Sequence, residues 1–164
     1  MKWRALICFE LGWLALVIFQ LWAVLPVAIY VGWAWLRLGR TQQTLVVQLA
    51  LIGIVLDSLL VWLGVMSFST SGWLPLWFLV LWCLFALTVV EAFADLLKPL
   101  WLAPLMGAIG GPMSYLGGAV LSGGILTMPL GWISWVCLAV VWALLAYYYA
   151  KLPKERLHAQ VVTQ

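Results

Sequence analysis

From Ala5 to Leu38 the chain runs 34 residues with only Glu10, Gln20 and Arg37 interrupting its apolar character. As one helix this stretch would reach about 51 Å at 1.5 Å per residue, against a hydrocarbon core of about 30 Å. It must therefore fold as two short helices, broken between Gln20 and Pro26. Four more apolar stretches follow, separated by Gly39–Gln43, Ser67–Gly72, Lys98-Pro99 and Ser122–Thr127. Polar or glycine-rich connections this short suit helix hairpins in a bundle. The expected fold is all-α, a polytopic membrane bundle of six transmembrane helices. Its spans fall at about 5–20, 23–38, 44–66, 73–97, 100–121 and 128–152, ahead of a cytosolic tail over 153–164. Composition agrees: 67% of residues are hydrophobic and 8% charged, where soluble domains carry about 25% charged residues.

The basic residues orient that bundle. Lys2 and Arg4 precede the first span, Arg37 and Arg40 separate the second from the third, Lys98 separates the fourth from the fifth, and Lys151, Lys154 and Arg156 follow the sixth. With six crossings all eight lie on one face, and neither Ser67–Gly72 nor Ser122–Thr127 holds any. Basic loops stay cytoplasmic. The expectation is a multi-pass protein of the bacterial inner membrane with both termini cytoplasmic. Five crossings would scatter the same charges over both faces. The net charge of +3 is thus a topology signal, and no nucleic-acid partner is expected. Met1-Lys2-Trp3-Arg4 and the following apolar run have the outline of a signal peptide. Glu10 falls inside the would-be hydrophobic region, so the segment reads as a first membrane helix.

Thirteen tryptophans follow the same geometry. Trp3, Trp22, Trp33, Trp35, Trp73, Trp101 and Trp132 lie near span ends, where indole rings anchor at headgroups. Trp13, Trp82, Trp135 and Trp142 lie deeper and serve either packing or an aromatic-lined cavity. Cys8, Cys83 and Cys137 sit in separate apolar stretches without CxxC or Cys/His spacing, and the one histidine, His158, is in the tail. No metal, cofactor or catalytic residue is expected from such a set.

The acids mark where chemistry could reside. Asp57 falls near the middle of the third span. An ionised carboxylate at the bilayer centre costs roughly 2.5–3.5 kcal/mol on insertion scales, so it needs a partner or a proton. No lysine or arginine is expected beside it. Ser58, Thr88, Ser114 and Tyr115 are possible donors, and Asp57 is either an interhelical tie or a functional group. Glu91 and Asp95 are four residues apart on one helix face. Asp95 is near enough to the span end to meet Lys98. Glu10 lies at a depth similar to Glu91, and the two could share a polar pocket suited to a proton relay.

The densest motif is Gly107 to Gly118. Gly107, Gly111, Ser114 and Gly118 recur at helical spacing, while Gly110-Gly111-Pro112 should kink or break the fifth span. Two readings stay open: a kinked packing helix, or a broken helix offering backbone groups to a substrate.

Asp57-Ser58-Leu59-Leu60, Leu81-Trp82 with Ala86-Leu87-Thr88, and Gly107–Gly118 occur in that order. Together they resemble an uncharacterised bacterial inner-membrane family, domain of unknown function 2878. The chain departs from that pattern at Val89-Val90-Glu91-Ala92, where more polar residues are expected, and at Val120, where an arginine is common. The resemblance implies an envelope-lipid context and no activity to carry over. The leading expectation is a non-enzymatic envelope subunit that binds a lipid, a small hydrophobic molecule or a membrane protein partner, possible as a homo-oligomer. The alternative is a small proton- or cation-coupled transporter using Asp57 with Glu91 or Glu10.

Overall fold

A computed structural model describes residues 2–70, 72–93 and 100–152. These form six helices: α1 (Lys2–Phe19), α2 (Leu21–Leu36), α3 (Arg40–Trp62), α4 (Leu76–Thr88), α5 (Leu102–Leu121) and α6 (Trp132–Ala150). A π-helical turn, Val89–Phe93, extends α4. The only strands among the described residues are two residues long: β1 (Ser67–Phe68) pairs antiparallel with β2 (Leu126–Thr127). Three helical stretches are long and apolar enough to cross a membrane, namely Arg40–Trp62, Leu76–Phe93 and Trp132–Ala150. Of the others, α2 has 16 residues, α1 carries Lys2, Arg4 and Glu10, and α5 is rich in glycine and proline. Asp95, Lys98 and the tail with His158 lie outside the described residues.

The break demanded by the 34-residue apolar run occurs at Gln20. Its φ of 49° makes it the one non-glycine residue with positive φ among those described. A residue with a Cβ held at positive φ costs roughly 1–3 kcal/mol, and here it separates α1 from α2. The next turn is held by side chains. The Gly39 N–H donates to Gln42 Oε1 at 3.2 Å, the reach-back half of a capping box. Gln43 Nε2 donates to the Trp35 carbonyl at 3.1 Å, and Trp35 Nε1 donates to the Gln43 carbonyl at 3.4 Å.

The chain divides into two compact units, with the boundary inside α3 after Ile54. The first holds α1, α2, the start of α3 and α4 with its π turn. In it α4 packs on α1 and α2. Glycines set those distances: a Cβ on Gly53 would lie 2.1 Å from the Trp82 ring, and one on Gly12 would lie 2.6 Å from Leu84. Trp82 is thus a packing residue pressed on the α3 backbone.

The second unit holds the end of α3, the segment through Pro75, α5 and α6. Here α5 and α6 pack along their length. A Cβ on Gly107 would lie 2.2 Å from the Trp142 carbonyl oxygen, and one on Gly111 would lie 2.1 Å from the Trp142 ring. Gly118 meets Leu126 at ordinary contact distance, and Gly110 faces open space. The helix is continuous across Pro112. Of the two readings left open, the broken helix is the one corrected: every residue from Leu102 to Leu121 stays helical, and the glycine face packs on Trp142. The β1–β2 pair joins the two connections that lack basic residues. It is reinforced by the Ser69 N–H donating to the Ile125 carbonyl at 2.9 Å and by Ser134 Oγ donating to the Val65 carbonyl at 2.5 Å.

Candidate functional site

Asp57 leaves α3 five residues before its end, about 7.5 Å along the axis. Because the helix stops at Trp62, the residue sits off the centre of its helix and within the second unit. It is 2% exposed. Tyr115, from α5 and 6% exposed, donates its phenol hydrogen to Asp57 Oδ2 at 2.5 Å. Behind it, the Trp142 indole N–H of α6 donates to the Tyr115 oxygen, with the two rings edge to face at 6.1 Å. Tyr149, buried on α6, lies within electrostatic range of both Asp57 and Tyr115. The result is a directed chain, Trp142 to Tyr115 to Asp57, across three helices.

The first unit handles its acid differently. Glu91 sits in the π turn that ends α4, its side chain 12% exposed, and its Oε1 accepts from Arg4 Nη2 of α1 at 3.0 Å. The turn is prepared one residue earlier. The Thr88 hydroxyl donates to the Leu84 carbonyl at 2.9 Å, a back-bond that bends helices. Arg4 also lies over Trp33, with Cζ 5.4 Å from the ring centroid, and Arg37 stacks closer at 3.9 Å. Tyr30 meets the Cys8 thiol and stands 6.1 Å from Trp33, ring to ring. Phe9, Phe85 and Phe93 close the cluster with centroids 5.6–5.8 Å apart.

Of the seven polar candidates, the structure brings two into direct contact, Asp57 and Tyr115. Thr88 bonds within its own helix, so it is no donor to Asp57. Ser58 and Ser114 are half-buried sequence neighbours of that pair. Glu10 is exposed, and Glu91 is occupied by Arg4. Sequence alone offers Glu91 no cationic partner, and the structure supplies Arg4. Arg4, Trp33 and Arg37 carry only topology and interface readings in the sequence, and Trp142 reads there as packing or cavity lining without a link to Asp57. The Arg4–Glu91 pair spans 87 residues, and its one sequence signal is that both residues fall at span ends on the face where basic residues collect. Among the described residues no group of three or more His, Cys, Asp or Glu gathers as a metal ion would require.

The model of one family, described as protein of unknown function (DUF2878), matches residues 2–148. No curated protein and no solved structure matches the chain. Covering nearly all of the sequence, the match settles membership: the chain belongs to the DUF2878 family.

Proposed function

We propose that this DUF2878 protein is a six-crossing subunit of the bacterial inner membrane with both ends cytoplasmic, bent in its fifth crossing at Gly111-Pro112. It binds a lipid, another small hydrophobic molecule or a membrane protein partner, and it catalyses nothing. The Arg4–Glu91 pair carries the topology. The start of α1 and the end of α4 meet there, which requires an even number of crossings between them. Outward apolar stripes support crossings by the helices that fall short on length or composition. Ile7, Leu11, Leu14 and Ile18 are exposed on α1, as are Leu21, Leu25 and Ile29 on α2 and Leu105, Ile109, Met113 and Leu116 on α5. Contiguous apolar surface of that extent marks contact with membrane or partner.

A binding role is favoured over proton-coupled transport by the commitments of the acids. Asp57 is spent on Tyr115 in a buried contact, and Glu91 is spent on Arg4. A carrier needs a carboxylate that alternately meets solvent and substrate. Reconstituted protein should therefore retain its lipids and partners equally in the native chain and in Asp57→Asn, with no pH-driven flux in either. Flux that depends on Asp57 in a folded protein would establish the transporter instead. Reporter fusions in the Ser67–Gly72 connection and at the C-terminus should score on opposite sides of the membrane.

A further inference from the structure

The cluster at Trp33 has chemistry that the internal ties do not use. Two guanidiniums are gathered around one indole, Arg37 at 3.9 Å and Arg4 at 5.4 Å from its centroid. Stacking engages the faces of a guanidinium and leaves its in-plane N–H fork open, the geometry that matches phosphate oxygens two at a time. Arg37 is exposed, and among the described residues no carboxylate pairs with it. Arg4 is half engaged, bound through Nη2 to Glu91 with its side chain 38% exposed. Two guanidiniums face one carboxylate here, and the N-terminal ammonium lies within electrostatic range of that carboxylate, so positive charge is in excess. An excess of positive charge suits a phosphodiester.

We propose that Arg37, backed by Arg4 and shelved on Trp33, binds the phosphodiester of an anionic membrane lipid where α1 starts and α2 ends. The assignment rests on the six-crossing reading, which places these helix ends at the headgroup layer, and it names the ligand class. Basic residues just outside a membrane helix attract anionic headgroups. The paired arginines add geometry to that attraction, and the excess of positive charge disfavours headgroups carrying their own ammonium. Lys151, with its ammonium 4.3 Å from the Tyr147 ring, is the internal control: a cation on an aromatic ring with no second cation on that ring among the described residues.

The test uses the full chain in nanodiscs of phosphatidylcholine with a minority of phosphatidylglycerol, counting lipids retained on re-extraction by mass spectrometry. The native protein should enrich phosphatidylglycerol, and Arg37→Gln should lower that enrichment about tenfold, equivalent to 1.4 kcal/mol. Arg37→Lys should fall between them, and Lys151→Gln should match native. Trp33→Leu keeps both charges and removes the shelf, so it too should lose enrichment, which covers the case of a misfolded Arg37→Gln. Unchanged enrichment in a folded Arg37→Gln overturns the proposal, as does an equal loss in Lys151→Gln, which signals charge without a site. Displacement by soluble glycerol phosphate at matching concentration overturns the assignment to a lipid. Reporters that reverse the topology would sink the six-crossing reading while leaving headgroup enrichment, read in symmetric discs, to stand or fall by itself.

Discussion

Two carboxylates occupy the two units, and each unit meets its acid with a different kind of partner. In the first, Glu91 is joined to a guanidinium that is itself over a third exposed, close to the start of α1. In the second, Asp57 is 2% exposed and takes its hydrogen from a phenol. Proximity to water explains the division. A full cation beside Asp57 would have to shed its hydration shell, and burying an ion costs several kcal/mol even after relaxation. A tyrosine brings a donor without bringing a charge. Where water reaches one partner the cation is cheap to keep, and an ion pair suffices.

The difference can be broken or sharpened by substitution, read as equilibrium unfolding in mixed micelles. The largest effect is expected at the foundation of the phenol site. Gly107→Ala places a methyl 2.2 Å from the Trp142 carbonyl, and because backbone cannot turn aside, about 3 kcal/mol should be lost through overpacking. A shift below experimental error would mean that α5 and α6 separate freely. Tyr115→Phe comes next, at about 2 kcal/mol for a buried acid that loses one charge-assisted donor, and its cost should not change with salt. Salt sensitivity there would show that Asp57 sees solvent and erase the contrast between the units.

Glu91→Gln should cost about 0.5–1 kcal/mol, discounted for the exposure of Arg4, and should fade as ionic strength rises. Arg4→Gln should cost more than its partner's substitution, because it strands the more buried of the two groups. Equal costs would place both groups in water. The smallest effect belongs to Gly110→Ala, where the added methyl meets nothing within 4 Å. It should change stability by no more than about 0.5–1 kcal/mol, and in the favourable direction, since alanine suits a helix interior better than glycine. Set beside Gly107→Ala, it isolates packing from propensity in one helix.

Much of the helical order was readable without coordinates, because apolar run length and bilayer thickness leave few solutions. That arithmetic alone demanded a break between Gln20 and Pro26, and the structure puts it at Gln20. The glycine face was readable in part: Gly107 and Gly111, four apart, share the Trp142 side, whereas Gly110 is rotated about 100° from Gly111 and faces away. Asp57 and Tyr115 were both visible as polar residues in apolar surroundings, but their pairing depends on which helices of the second unit are neighbours. The π turn at Glu91 left only one local mark, the Thr88 hydroxyl that back-bonds just ahead of it, and a lone threonine does not announce such a turn. The β1–β2 pair was hidden for a simpler reason. Two residues are too few to show an alternating pattern.

The Tyr115–Asp57 bond also has a consequence in time. The two residues are separated by 58 positions, so during synthesis the acid enters the membrane first and waits for its donor. At about 5–20 residues per second the delay is about 3–12 s. For that interval α3 holds a carboxyl group in an apolar setting with neither α5 nor α6 yet made. A chain stalled after α4 stays in that condition, and its bare acid distinguishes it from a finished protein.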